Sequence, residues 1–230
     1  MRWVITGANR GIGLELVRQL LARGEEVVAG AREPAKSSEL EKLIQASGSD
    51  GQIFTCDVSD DASVSAFAQG IGQTPVDVLV NNAGVYGKMQ SLEDLDLDDV
   101  KRSFDVNALG PVRVTRALLP NILRSKRRTV VQVTSGMGSI SDNTSGGAYG
   151  YRMAKAALNM ANKSMSIDYQ SKGLVAVVMN PGWVRTDMGG AGAPLHVEVA
   201  VRHMLETIDA ITPDDNGKFL NYKKGETYAY

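Results

Sequence analysis

The sequence predicts an α/β fold: one doubly wound, seven-stranded parallel sheet with helices on both faces. Three observations carry that expectation. Short runs rich in Val and Ile alternate with longer segments of helical period from one end of the chain to the other. A glycine-rich turn, TGANRGIG at 6–13, sits between the first such run and an amphipathic segment. The 230 residues suit one well-buried domain, with no internal repeat or low-complexity linker to divide them.

The first strand is RWVIT (2–6). In the helix that follows, Ile12, Leu16 and Leu20 recur every four residues while Glu15, Arg18 and Gln19 fall elsewhere, so one face packs on the sheet. Gly24 stops it. Strands then read EVVAG (26–30), QIFTC (52–56), VDVLV (76–80), TVVQVT (129–134), LVAVVM (174–179) and KFLNY (218–222). Helices fit 37–46, 60–71, 94–123, 148–171 and 196–210. The acidic run at 91–99 and the basic run at 124–128 lie at a helix start and a helix end. There they suit the helix dipole as solvated surface.

Charge and composition narrow the partners. Twenty-five Lys and Arg against 26 Asp and Glu leave no global field for nucleic acid or an anionic membrane, so the expected partner is a small molecule. Cys56 is the only cysteine and His196 and His203 the only histidines, a composition without a disulfide or a metal cluster, read as that of a reducing compartment. The apolar run Trp3-Val4-Ile5 is too short for a signal segment, and no stretch approaches the roughly 20 residues that span a bilayer. A soluble, cytoplasmic protein is expected.

In the glycine-rich turn, Gly7 permits a tight bend, and Gly11 and Gly13 let backbone and helix approach without a Cβ. The freed N–H groups at the helix start can face a pyrophosphate, which points to a nucleotide. The spacing is TGxxxGxG, and NNAG follows at 81–84 at the end of the fourth strand. With Tyr151 and Lys155, these motifs resemble the short-chain dehydrogenase/reductase family, over Thr6 to at least Thr186. The resemblance implies one NAD(P)-binding Rossmann domain over 1–230, with a substrate loop at about 186–196. It also implies a nicotinamide cofactor held by Gly7, Asn9, Arg10, Gly11, Ile12 and Gly13 of the turn. Further on, it assigns the cofactor Arg32, Asp57 and Val58, then Asn82, Ala83 and Gly84. The remaining cofactor contacts it implies are Tyr151, Lys155, Pro181, Gly182, Val184 and Thr186. Thr186 would bond the nicotinamide carboxamide.

Charge argues for one form of that cofactor. An acid beyond the second strand accepts from the ribose hydroxyl of NAD, whereas an arginine neutralises the 2′-phosphate of NADP. Here GAREP supplies Arg32, and Arg10 lies in the turn, so NADP(H) is preferred and NAD(H) possible, with Glu33 the nearby carboxylate.

On a helix beginning near 148, Tyr151 and Lys155 are about 40° apart around the axis and share a face, while Tyr149 is turned about 120° from the lysine. Helix geometry thus selects Tyr151 over Tyr149 as an acid. A free tyrosine titrates near about 10, and a nearby ammonium, helped by an oxidised nicotinamide, is expected to bring it closer to neutral. By resemblance Ser135, at the end of TVVQVTS, orients the carbonyl. It lies sixteen residues before Tyr151, Ser139 only twelve; Ser135 is preferred because it ends a strand, which leaves GMGSISDNTSGG as an enlarged loop. Pro111, four residues after Asn107, deprives that residue's carbonyl of its helical partner, so a kink is expected. The family places an asparagine there, linked through water to the lysine, and Asn107 matches it.

Beyond the sixth strand, Pro181 and Gly182 make a turn, and the glycines at 189, 190 and 192 suit a mobile lid. The stretches VTSGMGSISDNTSGGAYGYRMAK and NPGWVRTDMGG, with the short final strand, are similar to the sniffer-type carbonyl reductases and their bacterial C-factor-like relatives. That implies reduction of aldehydes and ketones, with Met137, Tyr149, Trp183 and Met188 available to wall an apolar pocket. The helices at 94–123 and 148–171 are the surfaces through which family members pair, so a homodimer is expected. A second reading is a signalling or sensor protein that binds NAD(P)H without turnover. The set Asn107, Ser135, Tyr151 and Lys155 favours the enzyme.

Overall fold

The computed structural model describes residues 1–230 except Ser49. Seven strands form one sheet: β1 (Arg2–Thr6), β2 (Glu26–Ala31), β3 (Gly51–Thr55), β4 (Val78–Asn81), β5 (Thr129–Val133), β6 (Val175–Asn180) and β7 (Phe219–Asn221). Their spatial order is β3-β2-β1-β4-β5-β6-β7 and every pairing is parallel. The connection direction reverses between β1 and β4, which opens a crevice beyond the carboxyl ends of the strands.

The strands alternate between two cores, as a two-residue period dictates. Trp3 and Ile5 of β1, Val78 and Val80 of β4 and Val131 and Val133 of β5 face one side, where they meet Leu16 and Leu20 of α1 (Gly11–Ala22) and Met204 and Ile208 of α7 (Val197–Asp209). Val4, Leu79 and Val130 face the other, against Phe67 of α3 (Asp61–Ile71) and Leu118 and Ile122 of α5 (Gly110–Arg124). Burying so many aliphatic side chains on both faces, at about 1.5–3 kcal/mol each, is what holds the sheet between its helical layers. The helix α2 (Ser38–Ala46) packs Leu40 and Ile44 into the first core.

The largest departure from expectation is the helix at 94–123. Residues 94–96 stay outside it, because the Asp96 side chain accepts from the amides of Asp98 and Asp99 and so caps α4 (Leu97–Phe104). Residues Asp105–Leu109 then widen into a π-helical turn, in which the amide of Gly110 reaches back five residues to the Asp105 carbonyl. The irregularity imposed by Pro111 is thus a π turn and not a simple kink. Arg113 staples it: its guanidinium bonds the Asp105 carboxylate at 2.6 Å and the Val58 carbonyl at 3.3 Å. A methyl on Gly110 would come within 2.8 Å of Val58, so the wide turn lies tight against the loop after β3.

The other boundaries move by a few residues at most. The helix expected at 148–171 is α6 (Tyr149–Asp168) followed by a 3₁₀ turn, Gln170–Lys172. The segment after β7 turns back, with Leu220 and Thr227 forming an antiparallel bridge. Among the described residues no helix is long and apolar enough to cross a membrane.

Candidate active site

A cleft of about 790 Å³ runs along the carboxyl ends of the strands. Its floor depends on a close approach of two turns. The Thr6 hydroxyl accepts from the amides of Asn82 and Ala83 at 3.0 and 3.1 Å, and the Asn82 side-chain amide donates to the carbonyls of Thr6 and Gly7 at 3.0 and 3.2 Å. Gly7 has φ +65°, and a methyl there would lie 2.7 Å from the Ala83 Cα. A methyl on Gly13 would lie 2.2 Å from the Gly7 carbonyl oxygen. No side chain fits at either position, and the backbone cradle at the start of α1 stays open for a phosphate-bearing ligand.

Most of the residues assigned to a cofactor from the sequence meet on the cleft wall. Gly7, Asn9, Arg10, Gly11 and Ile12 line it with Arg32, Asp57, Val58, Asn82, Ala83 and Gly84, and so do Asn107, Tyr151, Lys155, Pro181 and Thr186. Gly13, Gly182 and Val184 do not line it; Gly13 and Val184 are buried and Gly182 is half-buried.

One end of the cleft sets Arg10, Arg32 and Lys36 among Glu33, Asp57 and Asp187. Glu33 is held by an ion pair with Lys36, which keeps its carboxyl below the usual range. Arg10 faces Asp187 at 3.4 Å in an exposed pair. Arg32, by contrast, makes no ion pair among the described residues. Asp57 remains ionised: burial opposes its charge, but the Ser59 hydroxyl and amide bond it at 2.6 and 3.0 Å, and Arg32 adds attraction. Cys56 lies beneath, its thiol pushed up to about 12 by burial and by the neighbouring Asp57 charge.

The other end holds titratable groups. Lys155 is buried, donates from Nζ to the Val133 carbonyl at 2.8 Å, and lies 5.7 Å from the centre of the Tyr151 ring. Burial lowers its amine to about 8. Burial also raises the Tyr151 phenol to about 12, against the opposing pull of a hydrogen bond with Ser135. The phenol thus stands above its ordinary value, and not below it as expected from the sequence: with the protein's own groups alone, desolvation outweighs the Ser135 hydrogen bond, and the Lys155 ammonium is turned to a backbone carbonyl. Asn107 is fully buried in the π turn and exchanges two bonds with the Val85 backbone, at 2.9 and 2.8 Å. A methyl on Gly84 would lie 2.9 Å from Asn107 Oδ1 and 3.8 Å from Lys155 Nζ, so that glycine keeps open the space the two share.

Ser135 follows β5, and its hydroxyl accepts from the Met137 amide at 3.1 Å. Ser139 is buried in the loop, bonded to the Ser141 hydroxyl and the Asp142 amide at 3.2 Å each. The enlarged loop is clamped by Arg152, which bonds the Gly146 and Met137 carbonyls and the Ser145 hydroxyl. Of the four residues expected to wall a substrate pocket, Met188 lines the cleft. Met137 stands 3.9 Å from the hydroxyl of Tyr86, whose ring lies against Tyr151 with centroids 4.8 Å apart. Tyr149, the first residue of α6, is off the wall; Trp183 is 61 % exposed and its indole donates to the Gly189 carbonyl at 2.8 Å. Sequence reasoning missed Thr6, Tyr86 and Arg152. Thr6 belongs to the TGxxxGxG motif and was there to be found; the other two gain meaning only through contacts made by folding.

Comparison with known proteins decides the family. The model for short chain dehydrogenase matches residues 2–193. The chain belongs to the short-chain dehydrogenase/reductase family. As a member it is an oxidoreductase with a Rossmann-like fold. It is 52 % identical over 161 residues to the protein named C-signal of Myxococcus xanthus, covering 70 % of this chain and 97 % of that one. Among solved structures it is similar to the carbonyl reductase Sniffer of D. melanogaster, with TM-score 0.95, 31 % identity and coverage of 100 % and 99 %. It is also similar to the NADPH-bound carbonyl reductase from chicken fatty liver, with TM-score 0.93, 32 % identity and coverage of 100 % and 98 %.

The buried lysine makes a testable contribution to stability. Between pH about 8 and the ordinary 10.5 the unfolded chain holds a proton on Lys155 that the folded protein has lost. Stability should therefore rise with pH across that window. The unfolding free energy of the wild type, less that of Lys155→Met, should increase by roughly 2–3 kcal/mol between pH 7.5 and 10 in urea titrations. A difference that does not change with pH would mean that the amine titrates normally.

Proposed function

We propose that the protein is an NADPH-dependent carbonyl reductase, which transfers hydride between nicotinamide and an aldehyde or ketone with Tyr151 as proton donor. The observation that carries this reading is the joining of a glycine-floored end that carries Arg32 to a Tyr151–Lys155–Asn107 end in one cleft, with Ser135 bonded to Tyr151 from beside the wall. When bound, the reduced nicotinamide supplies the hydride. The chain's own residues do the rest. The glycine cradle and Arg32 hold the dinucleotide, Thr186 orients the nicotinamide, and the loop at 186–196 covers the substrate with Met188 toward the cleft.

The Ser135 hydroxyl holds the substrate oxygen, and the Tyr151 phenol, kept protonated by burial, gives that oxygen its proton. Lys155 waits behind the phenol to stabilise the phenolate left after transfer, and Asn107 leads toward solvent through a water held at its backbone carbonyl. Tyr151→Phe should lower kcat for NADPH oxidation with a panel of carbonyls by about 10²–10⁴. Ser135→Ala should do likewise and Ser139→Ala should not. Equal rates for wild type and Tyr151→Phe would favour the second reading, a nucleotide-binding signalling protein, for which the 52 % identity to C-signal speaks.

The preference for NADPH rests on Arg32, which makes no ion pair among the described residues, and on Glu33, which is already occupied by Lys36. The NADPH-bound relative supports it. Replacing Arg32 by Ala should reduce the NADPH-to-NADH ratio of kcat/KM by about tenfold or more, the loss of one charge-assisted contact to phosphate. A wild type that prefers NADH would sink the assignment.

A homodimer is supported by α6, which leaves Met153, Met160 and Ile167 exposed at intervals of seven residues. Leu109 and Phe104, on the segments packed against α6, are likewise exposed. Such an apolar stripe is self-complementary across a two-fold axis. Light scattering should give twice the 24.6 kDa chain mass, and a single monomer mass would refute the pairing.

A further inference from the structure

The segment Glu226–Tyr230 lies outside the cleft, yet it reaches the turn that carries Ser135. The Tyr228 amide donates to the Phe219 carbonyl at 2.8 Å, and the Tyr228 ring stacks on Phe219 with centroids 5.1 Å apart. From there the Tyr228 hydroxyl accepts from Asn180 Nδ2 at 3.0 Å. The second Nδ2 hydrogen goes to Asn221 Oδ1 at 3.3 Å. Asn180 Oδ1 accepts from the amides of Gly136 at 3.2 Å and Gly182 at 3.3 Å. Asn180 is 7 % exposed, and all four hydrogen-bonding positions of its amide are filled.

Those partners frame the candidate active site. Gly136 directly follows Ser135, and Gly182 directly follows Pro181 on the cleft wall. The turn at Gly136–Gly138 is fixed on its α6 side by Asn159, which donates to the Gly138 carbonyl at 3.1 Å. On the opposite side its side-chain anchor is Asn180, and a methyl placed on Gly136 would meet the Tyr228 ring at 3.4 Å. Within its own turn the Ser135 hydroxyl accepts from the Met137 amide at 3.1 Å, so the position of the turn determines where that hydroxyl points.

We propose that Tyr228, acting through Asn180, is a positioning residue for Ser135. The inference rests on the reading of Ser135 as the group that holds the substrate oxygen. An Asn amide presents either its oxygen or its nitrogen to a neighbour, and two backbone donors at Gly136 and Gly182 demand the oxygen. Tyr228 and Asn221 enforce that choice by offering acceptors to the nitrogen. Without the Tyr228 hydroxyl, half of that enforcement is gone and the turn is free to shift by the few tenths of an ångström that alignment in such a site cannot absorb.

The test is a double-mutant cycle on the full chain, with Tyr228→Phe, Ser135→Ala and both together, assayed with NADPH and a short aldehyde. Tyr228→Phe keeps the ring on Phe219 and removes only the hydroxyl. It should lower kcat by about 5–10-fold while the Kd for NADPH, read from nicotinamide fluorescence, changes by less than about twofold. In the Ser135→Ala background the same substitution should have no further effect on kcat. Asn180→Ala should show the same non-additivity with a larger loss; should that variant not fold, the Tyr228 cycle decides alone. An equal loss in both backgrounds, or a lowered melting temperature with kcat unchanged, would overturn the inference and leave the function standing. Full activity in Ser135→Ala would instead overturn the role of Ser135, and the positioning role with it.

Discussion

The cross-link between Thr6 and Asn82 is the constraint on which the site depends. Parallel strands β1 and β4 run side by side, but their connections depart to opposite faces of the sheet and leave a gap at the carboxyl ends. Backbone pairing ends where the gap begins. A hydroxyl and a side-chain amide take over, and four hydrogen bonds hold the glycine-rich turn against NNAG. With those two turns locked, the glycine-rich end of the cleft is floored by backbone. Everything else that lines it can then be aimed from outside.

Two buried groups are aimed in that way, and both have the charge on them discouraged. Lys155 gives its ammonium to a strand carbonyl, and Tyr151 is kept as a neutral phenol. Desolvation acts on a base and an acid in opposite directions, lowering one to about 8 and raising the other to about 12. The π turn contributes from the far side, because its extra residue carries Asn107 into contact with the strand-end loop at Val85.

The fold was legible because its determinants are local. Alternating Val and Ile runs mark strands whichever partners they find, and a four-residue period marks a buried helix face. The lysine-bearing helix face was legible for the same reason: Tyr151 and Lys155 are neighbours by helical geometry alone, and Tyr149 is not. What could not be read is what depends on a distant segment. Pro111 announces an irregular helix, but the form it takes, a π turn held by Arg113 against Asp105 and Val58, involves a loop 55 residues away in the chain. Tyr86 acquires its place only when the loop after β4 folds over α6, and Asn180 only when the chain comes back from β7. Trp183 reads as a pocket wall by its size and apolarity, whereas its indole N–H found a carbonyl in its own loop first.

Cys56 has a chemical consequence of its own. A thiol displaced from 9.0 to about 12 holds about a thousandfold less thiolate at neutral pH than an unperturbed one. It lines the cleft beside Asp57, where packing and the neighbouring carboxylate leave a sulfur that is a poor nucleophile.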